Sequence, residues 1–219
     1  PQTWPDDLDL TGKKVICIGS GATTATVVPA IAGQCEHVTV LQRSPTFFIT
    51  GRNANDLADM LRQLQIPDEW THEIVRRKVL FDQAAFTRRC VAEPEVVRGE
   101  LLAGVRAALG PGHEAEVEKH FNPRYRPWQQ RIAFVPDADL FKCVREGKAS
   151  VVTDQIESFE REGIRLQSGQ VLDADVIVTA TGFNLSVLGD IAFSIDDQPL
   201  DFARTVGWRG AMFSGVPNM

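Results

Sequence analysis

The pattern of apolar and polar positions changes character along the chain. Residues 14–18 (KVICI) form a short apolar run, with Thr11-Gly12-Lys13 before it and Gly19-Ser20-Gly21 after it. A run of that length without polar alternation is what a strand covered on both faces requires. Residues 22–32 (ATTATVVPAIA) predict a helix packed on a sheet. Pro29 inside it predicts a kink or an early end, because proline removes one backbone bond and crowds the preceding turn. Residues 37–42 (HVTVLQ) alternate β-branched positions and predict a second strand. Strand, glycine turn, helix and strand together make a βαβ unit.

From residue 53 to about 120 the apolar spacing shifts to three and four residues. This predicts helices over 56–64, 68–90 and 93–109. Trp70, Ile74 and Val75 open one stripe, and Val96, Val97, Leu101, Val105 and Leu109 form another. Gly110-Pro111-Gly112 is expected to close the helical stretch, and the pairs Arg76-Arg77 and Arg88-Arg89 read as solvated helix faces. Residues 121–136 (FNPRYRPWQQRIAFVP) mix aromatics and prolines with three arginines, an irregular texture. Arginines are hard to bury unpaired, so this segment is expected to line a cleft. A short helix is predicted over 137–147. Strand signals return at 150–153, 156–160, 163–166 and 175–179, the last leading into Ala180-Thr181-Gly182.

Composition narrows the function classes. The chain has 219 residues, enough for one large domain or two small ones, and 43% of them are hydrophobic, as in an ordinary globular protein. A net charge of −6 without a basic block argues against nucleic acid or an anionic membrane surface as the main partner. No window approaches the ~18 unbroken apolar residues of a membrane span, and the start has no signal-peptide layout. Cys17, Cys35, Cys90 and Cys143 lie far apart without a CxxC pair, which reads as reduced thiols in a cytoplasmic protein. His37, His72, His113 and His120 show no ligand spacing, so no metal is expected. The absence of an initiator Met and of a closing helix or tail predicts a piece of a longer protein.

The chemistry concentrates at the glycine turn. In Gly19-Ser20-Gly21-Ala22-Thr23 the first glycine permits the sharp turn and the second lets backbone approach a diphosphate. The amides of Gly21, Ala22 and Thr23 would then point at the anion from a helix N-terminus. Thr24 stands where Gly or Ala is usual, which predicts a slightly looser helix–strand contact. An NAD site calls for an acid about 20 residues on. Here the second strand instead ends in Gln42-Arg43-Ser44-Pro45. Arg43 can hold a 2′-phosphate as a planar fork and Ser44 can donate to it, so NADPH is favoured over NADH. A plain structural turn, and Arg43 as a surface cation, remain the bland alternatives.

Several stretches together resemble the class B flavin-dependent monooxygenases, the Baeyer–Villiger group, and within it the ethionamide-activating branch. They are GKKVICIGSGATTATVVPAIA, HVTVLQRSPTFF, FNPRYRPWQQRIAFVPDADLF, ASVVTDQIESF, GIRLQSGQVLDADVIVTATGFNL and MFSGVPN, in family order from end to end. Trp4-Pro5 look like the last two positions of the family signature FxGxxxHxxxWP.

The resemblance implies an α/β fold: a Rossmann-like NAD(P)-binding domain over 1–174 with a helical insertion at about 45–125. Residues 175–219 would be a partial return segment toward an FAD domain lying mostly outside this chain. It implies NADP and FAD as cofactors, O2 as co-substrate and a small-molecule acceptor, either a ketone or a sulfur or nitrogen centre. By position, Gly19, Ser20, Gly21, Ala22 and Thr23 match the diphosphate turn, and Arg43-Ser44 the pair on the 2′-phosphate. Arg131 matches the active-site arginine beside the flavin, where a guanidinium would stabilise developing negative charge. Gln130 stands where ketone-oxidising relatives often carry a Lys that helps hold NADPH. Ala180, Thr181 and Gly182 match the ATG passage between the two nucleotide domains. Without a second glycine turn for FAD, the 219-residue segment alone is expected to be inactive. Two rivals stay open: an FAD/NAD(P)H-dependent reductase, for which no CxxC or acceptor patch is evident, and a non-catalytic NADP-binding domain.

Overall fold

A computed structural model describes residues 2–184 and 186–216. The chain divides after Gly182 into two compact units.

The first unit opens with β1 (Lys14–Ile18), α1 (Ala22–Ile31) and β2 (His37–Gln42), the expected βαβ unit. Then come β3 (Phe48–Gly51) and the helices α2 (Asp56–Gln63), α3 (Asp68–Ala92), α4 (Pro94–Leu109) and α5 (Glu114–His120). β4 (Ala133–Pro136), α6 (Asp139–Arg145) and β5 (Ala149–Thr153) lead into β6 (Ile156–Glu160), β7 (Gly163–Leu166), β8 (Val171–Asp173) and β9 (Val176–Thr179). Four strands form one sheet in the order β5-β2-β1-β9, every pair parallel. The strands β6, β7 and β8 make a separate antiparallel sheet.

The strand β1 shows why its sequence lacks polar alternation. Successive side chains of a strand point to opposite faces. Val15 and Cys17 enter a core with Ala25, Val28 and Ile31 of α1, Phe141 of α6, and Val105 and Leu109 of α4. Ile16 and Ile18 enter a second core with Ile164, Leu166 and Leu172 of the antiparallel sheet. Both faces are covered, so every position of the strand after Lys14 is apolar and buried. Burial of each such side chain contributes roughly 1.5–3 kcal/mol.

The helix α1 continues past Pro29 to Ile31 without breaking, because Pro29 sits in the last turn and removes only one bond; the Ala32 N–H closes the end on the Val28 carbonyl at 2.9 Å. Gly110-Pro111-Gly112 does not end the helical stretch, since α5 follows it. The insertion is helical only from Asp56: residues 48–51, placed inside it by sequence, are a strand pairing in parallel with β4, itself within the segment expected to be irregular. The first compact unit runs on to Gly182, and β9 pairs in parallel with β1 as part of its main sheet. The helix α6 begins only at Asp139, since Asp137 and Ala138 both adopt left-handed backbone, with φ of 50° and 56°.

The two helical stripes separate. On α4, Val97, Leu101, Leu102, Val105 and Leu109 are buried. On α3 only Thr71 and Cys90 are buried, and Trp70 and Ile74 stay exposed. The Arg76-Arg77 pair does sit on a solvated face, where both guanidinium groups donate to Glu73 and hold its carboxyl below the usual range. In the second unit β10 (Ser194–Ile195) pairs with β11 (Gln198–Pro199), and β12 (Gly207–Trp208) with β13 (Met212–Phe213). Phe202 meets Phe193 and Phe213 edge-on at 5.4 and 4.9 Å.

The buried face of α4 is directly testable. Val97→Ala removes two methyl groups from a side chain with 0% exposure and should cost about 2 kcal/mol. Val96→Ala alters a side chain that is 55% exposed and should cost less than about 0.5 kcal/mol. Urea denaturation of the two variants reads the difference, and equal losses would misplace that face.

Candidate functional site

The four parallel strands end on one edge, at Ile18, Gln42, Thr153 and Thr179. The neighbours of β1 diverge there: β2 lies on one side and β9 on the other. In open parallel sheets the crevice outside the carboxyl ends, at such a reversal of strand order, is where ligands bind. The turn at residues 19–21, the loop at 43–46 and the passage at 180–182 all leave from this edge.

Gly19 is the hinge of the edge. Its φ is +129°, and a Cβ placed on it would lie 2.4 Å from the Ala180 carbonyl oxygen and 2.9 Å from the carbonyl carbon. Its N–H donates to the Leu41 carbonyl at 2.8 Å, and the Ala180 N–H donates to the Ile18 carbonyl at 2.8 Å. The turn is thereby locked against both neighbouring strands by backbone alone. Gly21 is different: φ is −88°, and no heavy atom lies within 4 Å of a Cβ built on it. It leaves open space over the start of α1. No side chain caps that helix and no acid occupies its first turn, so the leading N–H groups and the positive end of the dipole face outward.

Thr24 corrects the expected looseness. It is 1% exposed, and its hydroxyl donates to the Gly19 carbonyl at 3.0 Å, so the sixth position fastens the turn instead of loosening it. The Ser20 hydroxyl lies 2.7 Å from the Thr46 hydroxyl and reaches the Ser44 carbonyl at 3.4 Å. Arg43 and Ser44 are exposed at the tip of β2. Arg43 borders a cavity of about 250 Å³ shared with Ile18, Leu41, Asp154, Gln155 and Ile156. Among the described residues no ion pair engages its guanidinium. Gly19, Ser20, Gly21, Ala22, Thr23, Arg43, Ser44 and Ala180 are thus gathered at one edge. Thr181 and Gly182 continue from it to the end of the first unit, Gly182 with φ +99°.

Gln130 and Arg131 lie elsewhere in the first unit, exposed just before β4. They follow a tight turn in which the Gln129 N–H bonds the Arg126 carbonyl at 3.0 Å. Trp128 stands in that turn with φ +64°, where glycine is the usual occupant. The segment 121–136 does not act as one cleft lining. Phe121, Ile132, Ala133 and Val135 are core. Arg126 donates to the Cys90 carbonyl at 3.2 Å, and Arg124, Trp128, Gln130 and Arg131 face solvent.

A polar knot beneath the edge escaped the sequence reading. Gln42, 2% exposed, donates to the His120 carbonyl at 2.7 Å and to the Thr153 hydroxyl at 2.8 Å. The same hydroxyl lies 2.7 Å from His120 Nδ1. This ties β2, α5 and β5 directly behind Arg43. Burial foremost, then the neighbouring Lys119, pushes the His120 imidazole below its ordinary pKa. A polar residue closing a strand whose partner strand also ends in a hydroxyl is the one signal that could have flagged Gln42 and Thr153.

Two outcomes follow from this geometry. Gly19→Ala should lose about 2–4 kcal/mol of stability, from left-handed strain and overlap with the Ala180 backbone, while Gly21→Ala should lose less than about 1 kcal/mol. Thermal unfolding monitored by circular dichroism distinguishes them. His120 has a lowered native pKa, so the unfolded chain binds its proton more readily. Stability is therefore full above the ordinary histidine pKa and falls as pH drops through that value toward the native one. His120→Asn should flatten this part of the pH–stability curve; an unchanged slope would remove His120 as its source.

No family model matches the chain. It is 44% identical over 220 residues to the FAD-containing monooxygenase EthA of Mycobacterium tuberculosis, covering 100% of this chain and 44% of that protein. It is 45% identical over 221 residues to the probable FAD-binding monooxygenase AlmA of Acinetobacter baylyi, covering 100% and 43%. In fold it is similar to an oxidised steroid monooxygenase bound to NADP, at 23% identity and a TM-score of 0.59 over 83% of this chain and 41% of that one. A similar match is the complex of OTEMO with FAD and NADP, at 19% identity and a TM-score of 0.59 over 84% and 41%. The chain spans less than half the length of the curated relatives it matches, and over its whole extent it is similar to a part of these FAD-containing monooxygenases.

Proposed function

We propose that the chain is the NADPH-binding portion of an FAD-dependent monooxygenase that places one atom of O2 into a small molecule, a ketone or a sulfur or nitrogen centre. The observation that carries this reading is the carboxyl edge of the sheet. There an uncapped helix start with open space over Gly21 stands beside a loop carrying the exposed Arg43. The first feature suits a diphosphate, and the planar guanidinium suits a terminal phosphate on the adenosine ribose. The names of the relatives supply the flavin and the oxygenase class.

The residues fit NADP. The amides of Gly21, Ala22 and Thr23 would hold the diphosphate, with Ser20 donating beside them. Arg43 and Ser44 would hold the 2′-phosphate. The flavin, when bound, supplies the hydride acceptance and the oxygen chemistry. Among the described residues one strand–glycine–helix turn is present, at Gly19, and the contribution toward FAD would be the 180–182 passage and the Arg131 side chain. Arg131 would stabilise negative charge developing at the reacting centre, and its exposure leaves the guanidinium free to approach a ligand. Gln130 beside it could donate neutral hydrogen bonds to NADPH where a lysine would give a charged one. All four cysteines are free thiols, which supports a location in the reducing cytoplasm. No helix among the described residues is long and apolar enough to cross a membrane.

Calorimetric titration tests the coenzyme assignment. Arg43→Ala should weaken NADPH binding about tenfold or more, the worth of charge-assisted hydrogen bonds, and leave NADH nearly unchanged. Equal weakening of both would remove Arg43 from the 2′-phosphate. In the flavoprotein that carries this segment, Arg131→Ala should lower oxygenation of a thioether or ketone by about 100-fold or more with NADPH affinity retained. Retained oxygenation would sink its catalytic role.

A further inference from the structure

The diphosphate turn and the Arg43 loop are joined by one pair of side chains. Ser20 Oγ and Thr46 Oγ1 lie 2.7 Å apart. The Thr46 end of this bond is firmly based. Phe47, next in the chain, is 1% exposed, its carbonyl accepts the Ala133 N–H at 2.9 Å, and its ring meets Tyr125 edge-on at 5.4 Å. From Phe48 the backbone enters β3, which pairs with β4. The Ser20 end sits in the glycine turn, whose other fastenings run to β1, β2 and Ala180.

We propose that Thr46 is a positioning residue for the coenzyme: its hydroxyl ties Ser20 to the Arg43–Ser44 loop and so fixes the span between the diphosphate and 2′-phosphate sites. The inference rests on the NADPH reading above. It concerns a residue that touches neither phosphate in that reading. A diphosphate and a 2′-phosphate hang from a single ribose, so a ligand using both anchors needs them at one fixed separation. A ligand using only the turn does not. Preorganising that separation favours the doubly anchored ligand.

The proton arrangement agrees. With Thr46 donating to Ser20 Oγ, the Ser20 proton is left to the Ser44 carbonyl at 3.4 Å, a long bond that a phosphate oxygen would readily replace. Burial raises the pKa of the Tyr125 hydroxyl, the nearby Phe47 backbone and Thr46 hydroxyl oppose that shift, and no hydrogen bond of good geometry satisfies it there. It remains available to donate to Thr46 once Thr46 has committed its own proton to Ser20, a chain in which each bond strengthens the next.

The test is the ratio of NADPH to NADH dissociation constants, measured by fluorescence titration of the unsubstituted chain, Thr46→Val, Thr46→Ser and Ser20→Ala. The unsubstituted chain should prefer NADPH. Thr46→Val should cut that preference about fivefold, the equivalent of one hydrogen bond. Thr46→Ser, which keeps the hydroxyl, should restore it. Ser20→Ala removes the same bond from the half-buried turn side, and adding Thr46→Val to it should change the ratio no further; this arm stands even if Thr46→Val alone does not fold. A preference unchanged in both Thr46→Val and Ser20→Ala overturns the positioning role while leaving the NADPH reading intact. Equal affinity of the unsubstituted chain for the two coenzymes overturns the NADPH reading and this inference with it.

Discussion

The candidate site depends on one backbone contact, the approach of Gly19 to the Ala180 carbonyl. No side chain fits between them: a Cβ at Gly19 would overlap the Ala180 oxygen at 2.4 Å. That closeness sets where the chain leaves β1, and hence the direction in which the amides opening α1 point. It also joins two segments far apart in sequence, the turn after the first strand and the passage after the last strand of the sheet. The hydrogen bonds from Gly19 to Leu41 and from Ala180 to Ile18 complete the lock. With these groups satisfied by neighbouring strands, the leading amides of α1 are the ones left to face a ligand.

Around this lock the fold sorts its residues by what each face must bury. The parallel sheet is covered on one side by α1, α4 and α6 and on the other by the antiparallel sheet of β6, β7 and β8. The edge above is polar for a reason of its own. Gln42, Thr153 and His120 satisfy one another under the tip of β2 and hold the base of the Arg43 loop. A buried amide and imidazole are stable there because each has a partner; removing one would leave the others unsatisfied in a medium that penalises it.

Much of this was legible from residue types alone. The run KVICI, the glycine turn and the HVTVLQ alternation identify the βαβ unit, because a doubly covered strand and a tight turn leave strong local marks. The four-strand order was not legible: β9 arrives from more than a hundred residues away to pair with β1. The strands β3 and β4 were missed because each is only four residues long and gains its stability from the other. Among apolar stripes, spacing cannot separate α4, which is buried, from α3, whose Trp70 and Ile74 remain exposed, since periodicity marks a face without saying what covers it. In the candidate site, the turn and the Arg43 loop leave from the same edge of the sheet. Thr46 and the Gln42 knot emerged only in three dimensions, because single hydroxyls and amides carry no spacing signal.

In the proposed function, main-chain amides opening α1 would hold a diphosphate while Arg43 would hold the phosphate on the adenosine ribose. Nuclear magnetic resonance of the nitrogen-15-labelled chain during NADPH addition measures both ends in one experiment. The Gly21, Ala22 and Thr23 amides and the Arg43 guanidinium should shift together along one saturation curve, and NADH should move the amides while leaving the guanidinium still. Shifts confined to other parts of the chain, or a guanidinium that responds alike to both coenzymes, would contradict it.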